Sequence, residues 1–386
     1  MKPRDIIKRD YPEVQRYIDS IKSIQELYPN YYSEEKLYVK LDRFLDDHYS
    51  DLLDPDFDLL LWDRKLRKAI LDDLSTLVST CDKCKLCENR LPNNITPKSV
   101  FGEVVVDAPV MLLFEGPGNL ENRIQLPLTG NIELRSSDCS LYCKNYEQCF
   151  LEKDGNLVLY PKSKCQFDEI DVFDEDSHYA LLRKRLARPK NVLNSSGEIL
   201  DDALSDCDLV RQSSHNLASW IKRVDPDKQV PELIGPNISI VNAVRCRSTD
   251  FTLGADQPGG NLTPTQEYIT ACNPWLDMTI RLVKPKAILA LGTPALKALG
   301  PLEKLDSITK LCPNSLNIDP LVIKTKLHDK VVVGVHIAYM MREVNTKERD
   351  LWYQKLRQLL NKAKEISCQI QVSDLPAQTS LLKIQE

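Results

Sequence analysis

The feature that most constrains this chain is a short apolar run that ends in a glycine-rich turn. Residues 110–114 read Val-Met-Leu-Leu-Phe, and Glu115, Gly116, Pro117 and Gly118 follow directly. An unbroken apolar run of this length is typical of a strand buried on both faces. The Gly-Pro-Gly turn lets the backbone approach a ligand closely at the carboxyl end of a sheet. Glu115 is then either a carboxylate that faces a ligand crevice or a surface residue of an ordinary strand–helix turn.

Apolar strands alternate with amphipathic helices in the C-terminal part of the chain. We predict strands at 238–244, 287–291 and 331–335, and helices at 264–283, 294–299 and 348–366. This alternation is typical of a parallel sheet packed between helices. Glu115, Asn242 and His336 each lie at or near the carboxyl end of a different predicted strand. We therefore expect these three residues at the edge where open α/β sheets bind ligands.

The remaining segments differ from this pattern and predict the domain organisation. Residues 1–79 carry apolar residues at helical spacing and read as a helical N-terminal extension. Residues 131–235 read as an irregular, cysteine-containing insertion in an α/β domain that spans 80–366, and a polar tail follows at 367–386. The N-terminal helices and the insertion are the segments in which we expect any protein partner to bind.

Composition limits the partners that the chain can have. The formal net charge is −5, so no global basic field indicates nucleic acid, although a local basic groove remains compatible with this value. We find no apolar run long enough to span a bilayer and no signal-peptide pattern. The expectation is a protein without a membrane partner that is cytoplasmic, or nuclear if the source is eukaryotic.

The chain contains twelve cysteines, and in a reducing compartment these favour metal ligands over disulfides. Cys81 and Cys84 form a Cys-x2-Cys pair that can bring two thiolates to one metal centre. Cys246 and Cys272, each beside a predicted element, are the best further ligands. Four cysteines could close a zinc site or hold an iron–sulfur cluster, and their spacing does not choose between them. Isolated buried thiols are the alternative interpretation.

A second group of cysteines lies in the predicted insertion. These residues could bind a metal such as zinc and hold together a loop-rich segment that is too poor in apolar residues to fold alone. The group consists of Cys139, Cys143, Cys149 and Cys165.

Motifs in a fixed order along the chain match those of one family. Residues 81–90 follow the pattern Cys-x2-Cys-x-Leu-x3-Arg, and residues 114–130 read FEGPGNLENRIQLPLTG. The later matching segments are VNAVRCR at 241–247, TPTQEYITACNPWL at 263–276, PKAILALG at 285–292 and HIAYMMR at 336–342. Together these segments resemble the iron–sulfur uracil-DNA glycosylases, families 4 and 5 of the uracil-DNA glycosylase superfamily.

The resemblance implies a fold and a cofactor. The fold would be a three-layer α/β/α sandwich with a short central parallel sheet, extended by the N-terminal helices and the insertion. The cofactor would be a [4Fe–4S] cluster of structural role, and Cys87 matches no ligand of the family. The implied cluster ligands are Cys81, Cys84, Cys246 and Cys272.

The resemblance also implies an activity, the hydrolysis of the N-glycosidic bond of a flipped uracil or modified pyrimidine in DNA. Asn242 would read the pyrimidine edge, and His336 would donate to the carbonyl oxygen that becomes anionic as the base leaves. Glu115 would position water and stabilise the positive sugar. The residues expected to contact the substrate are Gly116, Pro117, Gly118, Leu128 and Arg342.

Three positions depart from the family pattern. Phe114 stands where the family has glycine and is expected to narrow the floor of the pocket. Leu128 replaces the phenylalanine that stacks on the flipped base, and Ile337 replaces a proline, which predicts a less rigid loop after His336. The alternative function is a catalytically inactive, nucleic-acid-binding member of the superfamily that acts within a larger assembly.

Overall fold

The computed structural model describes most of the α/β region of the chain. The described residues are 59–79, 81–89, 99–118, 150–153, 156–159, 196–212, 236–248, 261–300, 307–343 and 345–369, with Glu121 and a few isolated positions before residue 50. The helices are α1 (Leu59–Ser79), α2 (Ser196–Asp206), α3 (Gln266–Val283), α4 (Thr293–Ala298), α5 (Ile308–Leu311), α6 (Ile337–Arg342) and α7 (Thr346–Cys368). The strands are β1 (Val110–Phe114), β2 (Phe150–Lys153), β3 (Asn156–Leu159), β4 (Ile238–Asn242), β5 (Ala287–Leu291), β6 (Val322–Ile323) and β7 (Val331–Gly334).

Five of the described strands form one sheet in the order β4-β1-β5-β7-β6. The first four are parallel to one another, and the two-residue strand β6 pairs with β7 in the antiparallel direction at the edge. The apolar run 110–114 is therefore an inner strand, which agrees with its burial on both faces. The short parallel sheet that we predict is confirmed.

The two faces of the sheet are covered by different helices. Alternate residues of each strand point to opposite faces, so Met111 and Leu113 pack with α1, α3 and α4, while Leu112 and Phe114 pack with α2, α6 and α7. Each face buries a separate apolar cluster, and neither face of the inner strands is exposed. The fold is the three-layer α/β/α sandwich expected from the sequence.

Helix α1 shares its hydrophobic core with α3. Its apolar stripe, from Trp62 to Val78, is buried in the same cluster. Arg67 is buried beside it, donates to the carbonyl oxygen of Leu282 at 3.0 Å and pairs with Asp63 and Asp107 at 2.7 Å. The ion pair with Asp107 holds α1 against the turn that precedes β1. The division of the chain at residue 79 stays a prediction, and helix 59–79 packs as part of the sandwich.

The region predicted as an irregular insertion contains regular structure. Strands β2 and β3 pair as an antiparallel hairpin. Helix α2 buries Ile199 and Leu200 against α7, and Arg357 of α7 pairs with Asp202 of α2 at 2.5 Å. The bounds 131–235 stay a prediction, but residues 196–212 contribute to the sandwich core. Among the described helices, none is long and apolar enough to cross a membrane.

Candidate active site and cysteine cavity

The sheet register places the candidate residues along one edge. Phe114 pairs with Asn242 in the neighbouring strand, so Glu115 follows β1 at the position where β4 ends. On the other side, Leu291 pairs with Gly334, and His336 lies two residues beyond β7. The backbone ladder continues past β4, because the N–H of Val244 donates to the carbonyl oxygen of Glu115 at 3.1 Å. The carboxyl edge of the sheet therefore carries Glu115, Asn242 and His336, as expected from the sequence.

Glu115 is half-buried at this edge, and its carboxyl group lies against the backbone of Gly292. Gly292 follows β5 with a positive φ of 102°, and a Cβ atom there would collide with Glu115 Oε1. A side chain at this position would thus displace the carboxylate. Burial raises the pKa of Glu115 to about 7, and the positive charge of Arg342 opposes this rise. The group can therefore exchange a proton near neutral pH.

His336 is held as a neutral imidazole with one defined donor. Its Nδ1 accepts from the backbone N–H of Ala338 at 3.2 Å, so the ring proton is on Nε2. Burial lowers the pKa of His336 to about 4, and the charge of Arg342 acts in the same direction. The ring of Phe114 packs edge-on against the imidazole with centroids 5.7 Å apart. The arrangement presents an N–H donor that carries no net charge at neutral pH.

Asn242 ends β4 and is only 2 % exposed. Its Nδ2 atom is buried and has no hydrogen-bond partner in the structure. A buried amide without a partner loses its hydration and gains nothing in return, which costs roughly 1–3 kcal/mol. Such groups are rare in folded proteins, and Nδ2 of Asn242 is therefore a donor available to a ligand.

The turn after β1 is held by its own side-chain contact. The N–H of Gly118 donates to Glu121 Oε2 at 2.5 Å. Gly116 and Gly118 are half-buried, whereas Pro117 is buried. The substrate roles predicted for these three residues stay predictions.

Helix α6 follows His336 directly and carries Arg342 in its last turn. The loop that we expect to be less rigid is thus a helix, because the side chain of Ile337 is fully buried in the core and Ala338 N–H is tied to His336. Arg342 is exposed, and its charge acts on both Glu115 and His336. This guanidinium therefore stands at the solvent side of the same edge.

The four predicted ligand cysteines come from three segments of the chain and border one cavity. These are Cys81, Cys84, Cys246 and Cys272. Burial raises the pKa of the Cys272 thiol well above its usual range, and the other three thiols raise it further. Trp275 Nε1 donates to the sulfur of Cys81 at 3.3 Å. The predicted ligand set is therefore brought together.

The cavity also contains two residues that the sequence did not assign to it. Cys87 borders it, although this cysteine matches no ligand of the resembled family. Arg245 borders it as well and is fully buried. No cysteine within the described residues forms a disulfide. In the same part of the chain, no three His, Cys, Asp or Glu side chains are arranged to hold a single metal ion.

The donor set fits an iron–sulfur cluster in its chemistry. Thiolates are the ligands such clusters take, and an N–H donor to a ligand sulfur is typical of their surroundings. Leu128 and the proposed second metal site lie outside the described residues, so the predictions for them stay untested. That second site comprises Cys139, Cys143, Cys149 and Cys165.

Two further residues of the active-site edge make contacts that the sequence did not predict. Gly292 reads only as a turn in the sequence, and its contact with Glu115 follows from the pairing of β1 with β5. Phe114 was expected on the pocket floor, yet its side chain is fully buried in the core and supports the imidazole of His336. Alternation along β1 fixes this direction, since Phe114 shares a face with Leu112.

The pKa of Glu115 predicts how stability depends on pH. The folded-state pKa of about 7 exceeds the unfolded value of about 4.3. The contribution of the Glu115 carboxyl group to the free energy of unfolding is therefore fully present below about pH 4 and is lost as the pH rises through about 7. Relative to Glu115→Gln, the wild type should lose up to about 3 kcal/mol of unfolding free energy over this range. Chemical denaturation at several pH values measures this difference.

The control is Glu267→Gln, which changes an exposed carboxylate in the first turn of α3. The difference in unfolding free energy between this variant and the wild type should not show the loss expected for Glu115 between about pH 4 and about pH 7. A constant difference between wild type and Glu115→Gln from about pH 4 to about pH 8 would contradict the assignment.

Comparisons with known proteins agree with this architecture. Residues 101–360, more than half of the chain, match the uracil DNA glycosylase superfamily. A type-4 uracil-DNA glycosylase of Pyrobaculum aerophilum is 36% identical over 81 residues, and one of Sulfurisphaera tokodaii is 33% identical over 91 residues. These alignments cover 20% and 22% of this chain, and 36% of the length of each relative. The chain belongs to the uracil DNA glycosylase superfamily.

Proposed function

We propose that the protein is a DNA glycosylase that hydrolyses the N-glycosidic bond of a flipped uracil or modified pyrimidine. The observation that carries the proposal is the buried Nδ2 of Asn242, which has no hydrogen-bond partner among the described residues, at the sheet edge that also carries a neutral histidine and a desolvated carboxylate. Two curated relatives named type-4 uracil-DNA glycosylases support the substrate class. The alignment with this chain covers only 36% of the length of each relative, so the activity of this chain is a proposal.

Asn242 recognises the base in this proposal. Its amide offers a donor at Nδ2 and an acceptor at Oδ1, which complements a pyrimidine edge that has a carbonyl beside a ring N–H. Because Nδ2 has no hydrogen-bond partner among the described residues, binding such an edge satisfies a buried donor. An edge without that carbonyl leaves the donor unpaired, which is a penalty that discriminates between bases.

His336 stabilises the leaving base. As the glycosidic bond breaks, negative charge develops on the carbonyl oxygen next to the bond, and a positioned N–H donor stabilises this charge. The proton is on Nε2, since Nδ1 accepts from Ala338. A neutral imidazole donates without bringing a positive charge into the buried site, whose burial disfavours that charge.

Glu115 acts on the sugar. Its carboxylate stabilises an oxocarbenium-like sugar and orients the water that attacks it, as carboxylates do in other glycoside hydrolyses. With a pKa of about 7, the ionised form is well populated only at and above neutral pH. Arg342 at the mouth of the site would contact a DNA phosphate.

The cysteine cavity is proposed to hold a [4Fe–4S] cluster through Cys81, Cys84, Cys246 and Cys272. This cofactor would tie the segment after α1, the turn after β4 and helix α3 into one unit, and would take no part in bond cleavage. The four thiols that border one cavity and the hydrogen bond from Trp275 to Cys81 support this proposal.

The glycosylase proposal predicts base release. Single- and double-stranded oligonucleotides with uracil or a modified pyrimidine should yield alkali-labile abasic sites. His336→Gln, which removes the placed Nε2 donor, should lower the cleavage rate by about 10²–10³. The matched control is His328→Gln, since His328 precedes β7 at the opposite end of the sheet and contacts the Pro285 carbonyl.

The same assay separates the proposal from its alternative. DNA binding that weakens with salt, without base release from any member of the panel, would contradict the enzymatic proposal and support an inactive nucleic-acid-binding member. Equal loss of activity in His336→Gln and His328→Gln would contradict the role of His336.

The cluster proposal predicts a brown protein with about four irons and four labile sulfides per chain. Cys84→Ser should lower the iron content, whereas Cys87→Ser, at the same cavity but outside the proposed ligand set, should leave it unchanged. Metal analysis and the visible spectrum measure both. A colourless protein that contains only zinc would contradict the proposal.

A further inference from the structure

Arg245 is a cation in the interior of the protein. Its side chain is 1 % exposed, and it lies between the turn after β4 and helix α3. One terminal nitrogen donates to the Phe101 carbonyl oxygen, and the other donates to Thr279 Oγ1 at 3.2 Å. The Nε atom is buried without a hydrogen-bond partner, and the guanidinium lies 5.3 Å from the Phe101 ring centroid. These contacts are all with neutral groups.

The charge of Arg245 therefore lacks a countercharge within the described residues. Two other buried arginines differ: Arg211 pairs with Glu103 and Asp201, and Arg67 pairs with Asp63 and Asp107. A buried charge without an opposite charge costs several kcal/mol, and buried charges are normally paired for this reason. Arg245 is one of the residues that border the cysteine cavity, and a negative charge on Cys272 would stabilise its cationic form.

We propose that Arg245 is the electrostatic partner of the anionic, thiolate-ligated iron–sulfur cluster in this cavity. The inference rests on the cluster proposed above and assigns to it a residue that is not a ligand. Four thiolates around an iron–sulfur core leave a net negative charge, which the nearby guanidinium of Arg245 would offset. Arg245 directly precedes the proposed ligand Cys246, so the same backbone segment supplies a thiolate and the charge that balances it.

A countercharge has a consequence that a purely structural residue lacks. Reduction adds one electron to the cluster, and a nearby positive charge stabilises the more negative, reduced form. The net charge and hydrogen bonds around a cluster set its reduction potential. Arg245 is therefore expected to raise the midpoint potential and to slow the loss of iron.

The test compares Arg245→Gln, Arg245→Lys and Arg247→Gln in the full-length, iron-containing protein. Arg247 is a buried arginine of the same segment whose Nε donates to Asn261 Oδ1 at 2.9 Å, so it controls for the loss of a buried guanidinium. The readouts are iron and sulfide content, the midpoint potential from a spectroscopic redox titration, and the rate of bleaching by an iron chelator.

Arg245→Gln should shift the potential to more negative values and bleach faster than the wild type, with Arg245→Lys between them and Arg247→Gln unchanged. Wild-type potential and bleaching in Arg245→Gln would overturn the inference. If Arg245→Gln is purified without iron, retention of iron in Arg245→Lys supports the role of charge. If both Arg245 variants lose iron while Arg247→Gln retains it, Arg245 has a structural role and the inference is overturned.

These results are distinguishable from a failure of the cluster proposal itself. If the wild-type protein contains no iron and no labile sulfide, the cluster proposal itself is wrong, and this result is obtained before any variant is compared. If the wild-type protein contains the cluster, but its midpoint potential and bleaching rate do not depend on the charge at position 245, only the inference about Arg245 is wrong.

Discussion

Backbone pairing between four short parallel strands decides where every candidate catalytic group lies. Strand β1 sits between β4 and β5, and its register sets Phe114 opposite Asn242. The pairing of β5 with β7 then brings the segment after Gly334 to the same edge. A shift of one residue in any of these pairs would turn a side chain to the other face of the sheet. The geometry of the site is thus a property of the sheet and not of flexible loops.

The desolvation that accompanies this packing sets the protonation states of the groups at the sheet edge. Burial raises the pKa of Glu115 and lowers that of His336, so each group is moved toward its neutral form. The two shifts leave a carboxyl group that titrates near neutrality and an imidazole that does not at the same edge of the sheet. Phe114 contributes to the burial of the imidazole from the core side, because its ring packs perpendicular to the imidazole ring.

The cysteine cavity and the active-site edge are connected by the short buried segment 242–246. Asn242 stands at one end of this segment, and the proposed ligand Cys246 stands at the other. Arg245 anchors the segment to Phe101 and to helix α3. A cofactor bound at the cysteines would therefore stabilise the backbone that presents Asn242. Through this segment, a cluster bound at the cysteines would support the proposed recognition of a base by Asn242.

Much of this arrangement could be predicted from the sequence, because it depends on local patterns. The apolar runs 110–114 and 287–291 are strands with the predicted bounds, and the residues after them fall at the carboxyl edge. Contacts between distant segments could not be predicted in this way. Gly292 against Glu115 requires the strand register, and Arg245 at the cysteine cavity requires the packing of α3 on the β4 turn. The hairpin of β2 and β3 was also missed, although the Asp154-Gly155 pair between the runs 150–153 and 156–159 is a typical sequence signal of a two-residue hairpin turn.

The sheet edge holds His336 neutral, with its proton on Nε2. The most direct test is a pH titration of the imidazole nitrogens by NMR on 15N-labelled protein, with the His336 signals assigned by their absence from His336→Gln. We expect the Nε2–H tautomer, with protonation only near pH 4. An Nδ1–H tautomer, or protonation near the ordinary value of about 6.5, would contradict it.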